Sequence, residues 1–186
     1  NPDLFRPALV VTGLAKTETI REESIGETVE TELHAHPHRF AHLRTHSTYS
    51  ILNSTIDLPD LIKRAVEEKM PALGLTDTAN LMAAFNFITK IADHNAAEKK
   101  AVKEGRQLAA QHLKPVLGCE FYICRDHTDK TTKDNGYLVP VIAKNKNGYQ
   151  NLSRLSSIAS IEGFYYVPRI THEVLLKYKD DLIVTT

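Results

Sequence analysis

The sequence lacks the features that mark disulfide-rich, membrane-spanning and secreted proteins. It contains no tryptophan and two cysteines among 186 residues. Cys119 and Cys124 lie five positions apart, so on one strand they face opposite sides, which predicts reduced thiols rather than a disulfide. No apolar stretch reaches the length of a membrane span and no signal peptide is visible, which predicts a cytoplasmic protein without membrane association.

The glycine content and the net charge bear on two kinds of binding protein. The eight glycines form no glycine-rich phosphate loop, which disfavours a small-molecule phosphate-binding α/β domain. The 23 basic residues balance the 23 acidic ones, so whole-chain charge gives no support for direct nucleic-acid binding. A hydrophobic content of 42% and a charged content of 25% predict one globular domain.

The chain divides by composition near residue 39. Residues 1–38 carry seven acidic and three basic side chains and are interpreted as an acidic N-terminal extension or linker. From residue 39 onward, segments typical of strands alternate with segments typical of helices, which predicts an α/β fold with a mostly parallel sheet. Strands are predicted at 40–44, 72–76, 116–124, 137–143 and 182–184, and helices at 57–69, 80–91, 95–111, 152–161 and 172–179.

A histidine-rich strand end is the first candidate site. Side chains alternate along a strand, so His42, Arg44 and His46 are expected on one face. A metalloenzyme would use such an H-x-H spacing for imidazole ligands. Arg44 cannot serve as a ligand because its guanidinium does not lose a proton.

Further candidates fall at the carboxyl ends of other predicted strands, where α/β folds place their functional groups. Asp77 and Thr78 follow the strand at 72–76, and Glu120 lies on the strand at 116–124. We expect Arg44 to pair with Glu120 or Asp77, because a buried carboxylate needs a cation or a proton.

These residues belong to segments that resemble, in chain order, the PHP (polymerase and histidinol phosphatase) domain of the bacterial replicative DNA polymerase, the DNA polymerase III alpha subunit. The similarity covers about residues 39–186. The segment at 39–47 is similar to the pattern H-L-H-x-H-[ST], 70–81 to M-P-A-x-x-x-T-D-H-G-N-L, 114–120 to K-P-I-x-G-x-E, 143–152 to A-K-N-x-x-G-Y-x-N-L, and 163–170 to G-F-Y-x-x-P-R-I.

The resemblance implies an incomplete, distorted β/α barrel whose metal site has degenerated. Arg44, Thr78 and Leu138 stand where the family has histidine ligands. His46 and Glu120 stand at retained ligand positions, with Asp77 nearby. We therefore expect no catalytic metal cluster and no cofactor, with at most weak metal binding at His46 and Glu120. The alternative is a bound divalent ion: zinc, manganese or magnesium.

Two functions follow from the resemblance. The first is a structural and interaction module within a DNA-directed DNA polymerase, a nucleotidyltransferase whose catalytic aspartates lie in another domain. Its partners would be the remainder of the polymerase chain, a separate proofreading exonuclease subunit, and DNA through the parent holoenzyme. The alternative is an active metal-dependent 3′–5′ exonuclease or phosphoesterase.

Three other clusters invite weaker hypotheses. His34, His36 and His38 form an H-x-H-x-H series, although Pro37 interrupts a regular strand. Residues 124–129 combine ligand types in a polar loop, for which a solvated turn is the preferred interpretation. Lys144, Lys146, Tyr149 and Arg154 could contact a phosphate backbone, but no series of stacking aromatic residues accompanies them.

Overall fold

The computed structural model describes residues 40–105 and 112–185. The predictions for residues 1–38, including the histidine series, and for the end of the helix predicted at 95–111 lie outside these residues. Within them, the predicted alternation of helices and strands is confirmed. The helices are α1 (Leu58–Glu67), α2 (Ala84–Lys103), α3 (Lys146–Ile161) and α4 (His172–Lys177), and the strands are β1 (Ala72–Leu75), β2 (Lys114–Cys124), β3 (Tyr137–Ala143), β4 (Arg169–Thr171) and β5 (Leu182–Val184).

Asparagine side chains explain where two helices depart from the predicted bounds. α3 begins at Lys146, six residues before the predicted start, because the Asn145 side chain accepts a hydrogen bond of 3.0 Å from Gly148 N. α2 begins at Ala84 rather than Asn80. The Asn80 side chain instead donates to the carbonyls of Tyr49 and Thr78, at 3.1 and 3.0 Å, which holds the chain in a turn.

The predicted strand at 40–44 is wrong. This segment runs beside β1, where Gly74 N donates to His42 O at 2.6 Å and Thr76 N donates to Thr45 O at 2.8 Å. The two acceptors are three residues apart, whereas the two donors are two residues apart. The two segments therefore do not keep a constant register. The Thr45 hydroxyl donates to Gly74 O in place of a backbone N–H, and no regular ladder forms.

The sheet is mixed rather than mostly parallel. β2 pairs in parallel with β1 along its first half and with β4 at its end, on the same edge. Its other edge pairs with β3 in an antiparallel register, and β3 pairs antiparallel with β5. The loop 125–136 between β2 and β3 has no crossover helix, and a short connection of this kind joins antiparallel strands. The barrel implied by the resemblance remains a prediction.

Two hydrophobic clusters pack on this sheet. One lies between β1, α1 and α2, around Leu73, Leu75, Phe87 and Ile91. The other joins β2 and β3 to α3, around residues such as Phe121. Alternation along β2 directs Cys119 and Phe121 toward α3, so Glu120 points to the opposite face. That face carries the candidate site.

Candidate degenerate metal site

Parallel pairing brings Asp77 and Glu120 side by side in the backbone. Glu120 N donates to Asp77 O at 3.0 Å, and Ala79 N donates to Glu120 O at 2.7 Å. Thr78 and Glu120 form an isolated parallel bridge just beyond β1. These positions therefore lie next to one another. Glu120 lies within β2 and not, as predicted, at the carboxyl end of its strand.

The Glu120 carboxylate is buried and has two cationic or potentially cationic neighbours. Arg44 Nε donates a hydrogen bond to Glu120 Oε1, as expected, and this bond raises the pKa of the Arg44 guanidinium. His46 Nε2 lies 3.0 Å from Glu120 Oε2. Neither of these two buried atoms has a hydrogen bond of good geometry among the described residues. The Arg44 side chain itself remains 58% exposed, so it reaches the buried carboxylate from the solvent side.

Asp77 has a different environment from Glu120. Its carboxylate accepts hydrogen bonds of 2.7 Å from Ser47 N, Ser47 Oγ and Ser50 Oγ. Arg44 therefore pairs with Glu120, and hydroxyl groups satisfy Asp77. The effect is to attach the loop 47–50 to the end of β1.

Neither Thr78 nor Leu138 has a side chain that commonly binds metal ions. Thr78 N donates to Ser50 Oγ at 3.0 Å, and the Thr78 hydroxyl lies 3.5 Å from Asn53 Nδ2. Leu138 pairs with Tyr122 on β2. Since Tyr122 is two residues from Glu120, Leu138 lies on the same sheet face as Glu120. Its position relative to Glu120 fits the predicted alignment, but its aliphatic side chain binds no metal.

The remaining donors do not fit a catalytic metal cluster. Within 40–105 and 112–185, no group of three or more histidine, cysteine, aspartate or glutamate residues is placed to hold a metal ion. Of the carboxylates and imidazoles described at the candidate site, the Arg44 guanidinium already occupies one oxygen of Glu120, and both oxygens of Asp77 accept hydrogen bonds from the loop 47–50. A catalytic zinc site requires three protein ligands and an open position.

The weaker candidates behave as ordinary turns and core residues. Thr128 donates to Asp126 and Thr131 to Asp129, and these bonds lower the pKa values of both carboxyls. The two cysteines are buried free thiols, in agreement with the prediction. Arg154 contacts Asn151 on its own helix.

Sequence reasoning missed Arg169, which is fully buried. Its guanidinium donates to the carbonyls of Gly163, Asp134, His127 and Asp129, at 3.1, 2.9, 3.3 and 2.8 Å. These bonds join the loop 125–136 to the turn that follows α3. The available signal was a charged residue inside the short apolar segment 167–170.

The site and fold thus define an α/β domain in which a buried carboxylate on a central strand contacts a histidine and an arginine. The PHP domain family model matches residues 42–186, and the chain belongs to this family. No helix among the described residues is both long and apolar enough to cross a membrane.

Similar proteins carry the name DNA polymerase III subunit alpha. The one from Borreliella burgdorferi is 36% identical over 152 residues, which cover 80% of this chain and 12% of the relative. The Aquifex aeolicus protein is 35% identical over 156 residues, covering 79% and 12%. The Helicobacter pylori protein is 36% identical over 149 residues, covering 79% and 11%. The chain therefore spans about a tenth of the length of these relatives.

Proposed function

We propose that this chain is the PHP region of a bacterial replicative DNA polymerase and acts as a structural and interaction module with a degenerate metal site. The similarity to DNA polymerase III alpha subunits supports the place in DNA replication. The hydrogen bond from Arg44 to Glu120 carries the argument for a degenerate site. The polymerase reaction itself belongs to parts of the parent protein outside this chain.

The chemistry of Glu120 supports that choice. A buried carboxylate is costly without a compensating positive charge, and a divalent metal ion would supply that charge in an active site. Here the Arg44 guanidinium supplies it through a direct hydrogen bond. A metal ion at the same oxygen would compete with this bond and place two cations at one site. This hydrogen bond supports a site in which the buried carboxylate is compensated without a metal ion.

Metal analysis of the full polymerase chain tests the proposal. The protein is purified, incubated with zinc, manganese or magnesium, and passed through a desalting column before elemental analysis. We expect no stoichiometric metal that depends on Glu120, so Glu120→Gln should leave the metal content unchanged. Two or three ions per chain, lost in Glu120→Gln, would contradict the proposal.

The alternative is a metal-dependent 3′–5′ exonuclease or phosphoesterase. One observation favours it: His46 Nε2 and Glu120 Oε2 are buried, 3.0 Å apart, and unsatisfied among the described residues. A nuclease assay on 3′-labelled single-stranded DNA with each metal distinguishes the two functions. Activity that is abolished by His46→Ala, with DNA synthesis unchanged, would establish the alternative.

The partners follow from the same proposal. They are the remainder of the polymerase chain, a proofreading exonuclease subunit, and DNA through the assembled holoenzyme. Co-purification of the exonuclease subunit with the full chain, and its loss on deletion of residues 40–185, would support the second partner. Retention of the subunit after that deletion would place its binding site elsewhere.

A further inference from the structure

A turn at the end of α3 presents large apolar side chains to solvent. Ile161, Phe164 and Tyr166 are 82%, 55% and 63% exposed. We call these three residues the aromatic turn. Single exposed apolar residues are common on protein surfaces, whereas several in one short segment indicate an interaction site.

The backbone of this turn is held in an unusual conformation. Tyr166 has a φ of 63°, in the left-handed region that bulky residues rarely adopt. Gly163 has no space for a side chain, since an added Cβ would lie 1.8 Å from Arg169 O. Such conformations persist only where the surrounding structure enforces them, and they are concentrated at binding sites.

The buried Arg169 side chain holds the backbone of this turn in place. Its Nε donates to Gly163 O at 3.1 Å, and its guanidinium lies 5.4 Å from the centre of the Tyr165 ring. Lys130 Nζ, in the loop 125–136, donates to Glu162 O at 2.6 Å. These contacts fix the backbone that carries the exposed side chains, which lowers the entropy cost of binding.

The charges beside the aromatic turn favour a protein partner over a nucleic acid. Lys133 Nζ lies 4.9 Å from the centre of the Tyr166 ring, and single-strand binding surfaces also combine basic and aromatic side chains. The loop 125–136, however, has three basic side chains (Arg125, Lys130 and Lys133) and three acidic ones (Asp126, Asp129 and Asp134). A surface without excess positive charge lacks the electrostatic attraction that dominates nucleic-acid affinity.

The direction of β5 bears on which partner could reach this surface. β5 runs antiparallel to β3, and Thr185 N donates to Pro140 O at 3.1 Å. A continuing chain would therefore pass Leu138 and Tyr137 and approach the loop 125–136 that Arg169 joins to the aromatic turn. Since this chain covers about a tenth of each relative, a large remainder is available to occupy the surface.

We infer that the aromatic turn is a docking surface for the remainder of the same polymerase chain. This inference rests on the proposed function, because it requires a parent polymerase that extends beyond this region. Phe164 and Tyr166 would insert into an apolar surface of another domain, while the neutral loop 125–136 surrounds the contact. Aromatic anchors with a polar rim are the usual anatomy of a protein interface.

Hydroxyl-radical footprinting of the wild-type full chain, read by mass spectrometry, tests the inference. Phe85 is the matched control, since it is the same residue type and 78% exposed. Each oxidation rate is divided by the exposed fraction in the present structure. We expect the normalised rate of Phe164 to be several-fold below that of Phe85, with Tyr166 similarly protected, at low protein concentration and without DNA.

Other outcomes would overturn the inference. Equal normalised rates for Phe164 and Phe85 would show that nothing specific covers the turn. Protection that appears only with added single-stranded DNA would identify a nucleic acid as the occupant, and protection that grows with protein concentration would identify a second copy. A DNA-synthesis assay on the same preparation tests the proposed function separately. An active polymerase with an unprotected Phe164 would reject the docking surface alone.

Discussion

Arg44 and Glu120 are 76 positions apart in sequence, yet the Arg44 guanidinium donates directly to one oxygen of the Glu120 carboxylate. Glu120 is fully buried, while most of the Arg44 side chain reaches solvent. The arginine therefore neutralises an interior charge from the surface of the molecule. This relationship separates the present site from one built to hold several metal ions.

Replacement of Arg44 by alanine should destabilise the fold. A fully buried pair would predict a loss of about 3–5 kcal/mol, but the exposure of Arg44 allows water to replace part of the interaction, so we expect about 1–3 kcal/mol. Urea denaturation of the purified chain measures this change. Arg64→Ala, which removes an exposed helical ion pair with Glu68, is the control and should cost less than about 1 kcal/mol. Equal effects of the two variants would show that Arg44 has no special role.

Restoration of the three imidazoles, as Arg44→His, Thr78→His and Leu138→His together, should raise the affinity for zinc. Each change returns a neutral nitrogen donor near His46 and Glu120, and the first also frees a Glu120 oxygen. Isothermal titration with zinc compares the triple variant with the parent chain. A second variant, with histidines at the exposed positions Lys63, Met82 and Ile161, none of them one helical turn from another, controls for nonspecific binding. Equal affinities in the triple variant and the parent would reject the assignment of these positions.

Replacement of Asp77 by asparagine should also destabilise the protein. Oδ1 of the carboxylate accepts from Ser47 N and Ser50 Oγ, and Oδ2 accepts from Ser47 Oγ. The amide nitrogen of asparagine cannot accept the bond made at the oxygen that it replaces. We expect a loss of about 1–3 kcal/mol in the free energy of unfolding. Asp60→Asn, on the exposed face of α1, is the matched control. Faster hydrogen exchange confined to residues 47–50 would confirm that Asp77 anchors this loop, and unchanged exchange there would contradict it.

Arg169→Met should be more damaging than Arg44→Ala. The substitution preserves an apolar stem but leaves four carbonyls without their donor, so we expect a loss of at least about 3 kcal/mol. Arg169→Lys should recover part of this, since an ammonium can reach fewer of the carbonyls. Thermal unfolding ranks the three proteins. A methionine variant as stable as the parent would show that the buried guanidinium does not hold the loop 125–136.

The stability of the chain should fall in alkaline solution partly because of Cys119. Burial, reinforced by the charges of Asp77 and Glu120, raises the pKa of its thiol. In the unfolded chain the thiol titrates near pH 8.5, so above about that pH the unfolded state loses a proton that the folded state keeps. The free energy of unfolding then decreases as the pH rises. Cys119→Ala should flatten this decrease in urea titrations between about pH 7 and pH 10, and an unchanged slope would reject the contribution.

The linear sequence determined the class of the fold and most of its elements. Tyr137–Ala143 and Leu182–Val184 form strands at their predicted positions, because short β-branched and aromatic segments between turn residues have few alternatives. The site residues Arg44, His46, Asp77 and Glu120 could also be selected from motif spacing. The pairing of Arg44 with a carboxylate could be predicted as well, because a buried charge is costly without a partner of opposite charge.

Only the tertiary structure decided which carboxylate Arg44 would meet. Asp77 is satisfied by Ser47 and Ser50, and this depends on how the loop 47–50 folds against β1. Contacts between distant parts of the chain also determine two other features. These are the irregular pairing of the segment 40–45 with β1 and the antiparallel position of β3. Arg169 shows the same limit, since its four carbonyl partners come from two loops that sequence periodicity does not relate. Local pattern records the preferences of neighbouring residues, whereas these features arise from long-range hydrogen bonds that exist only in the folded protein.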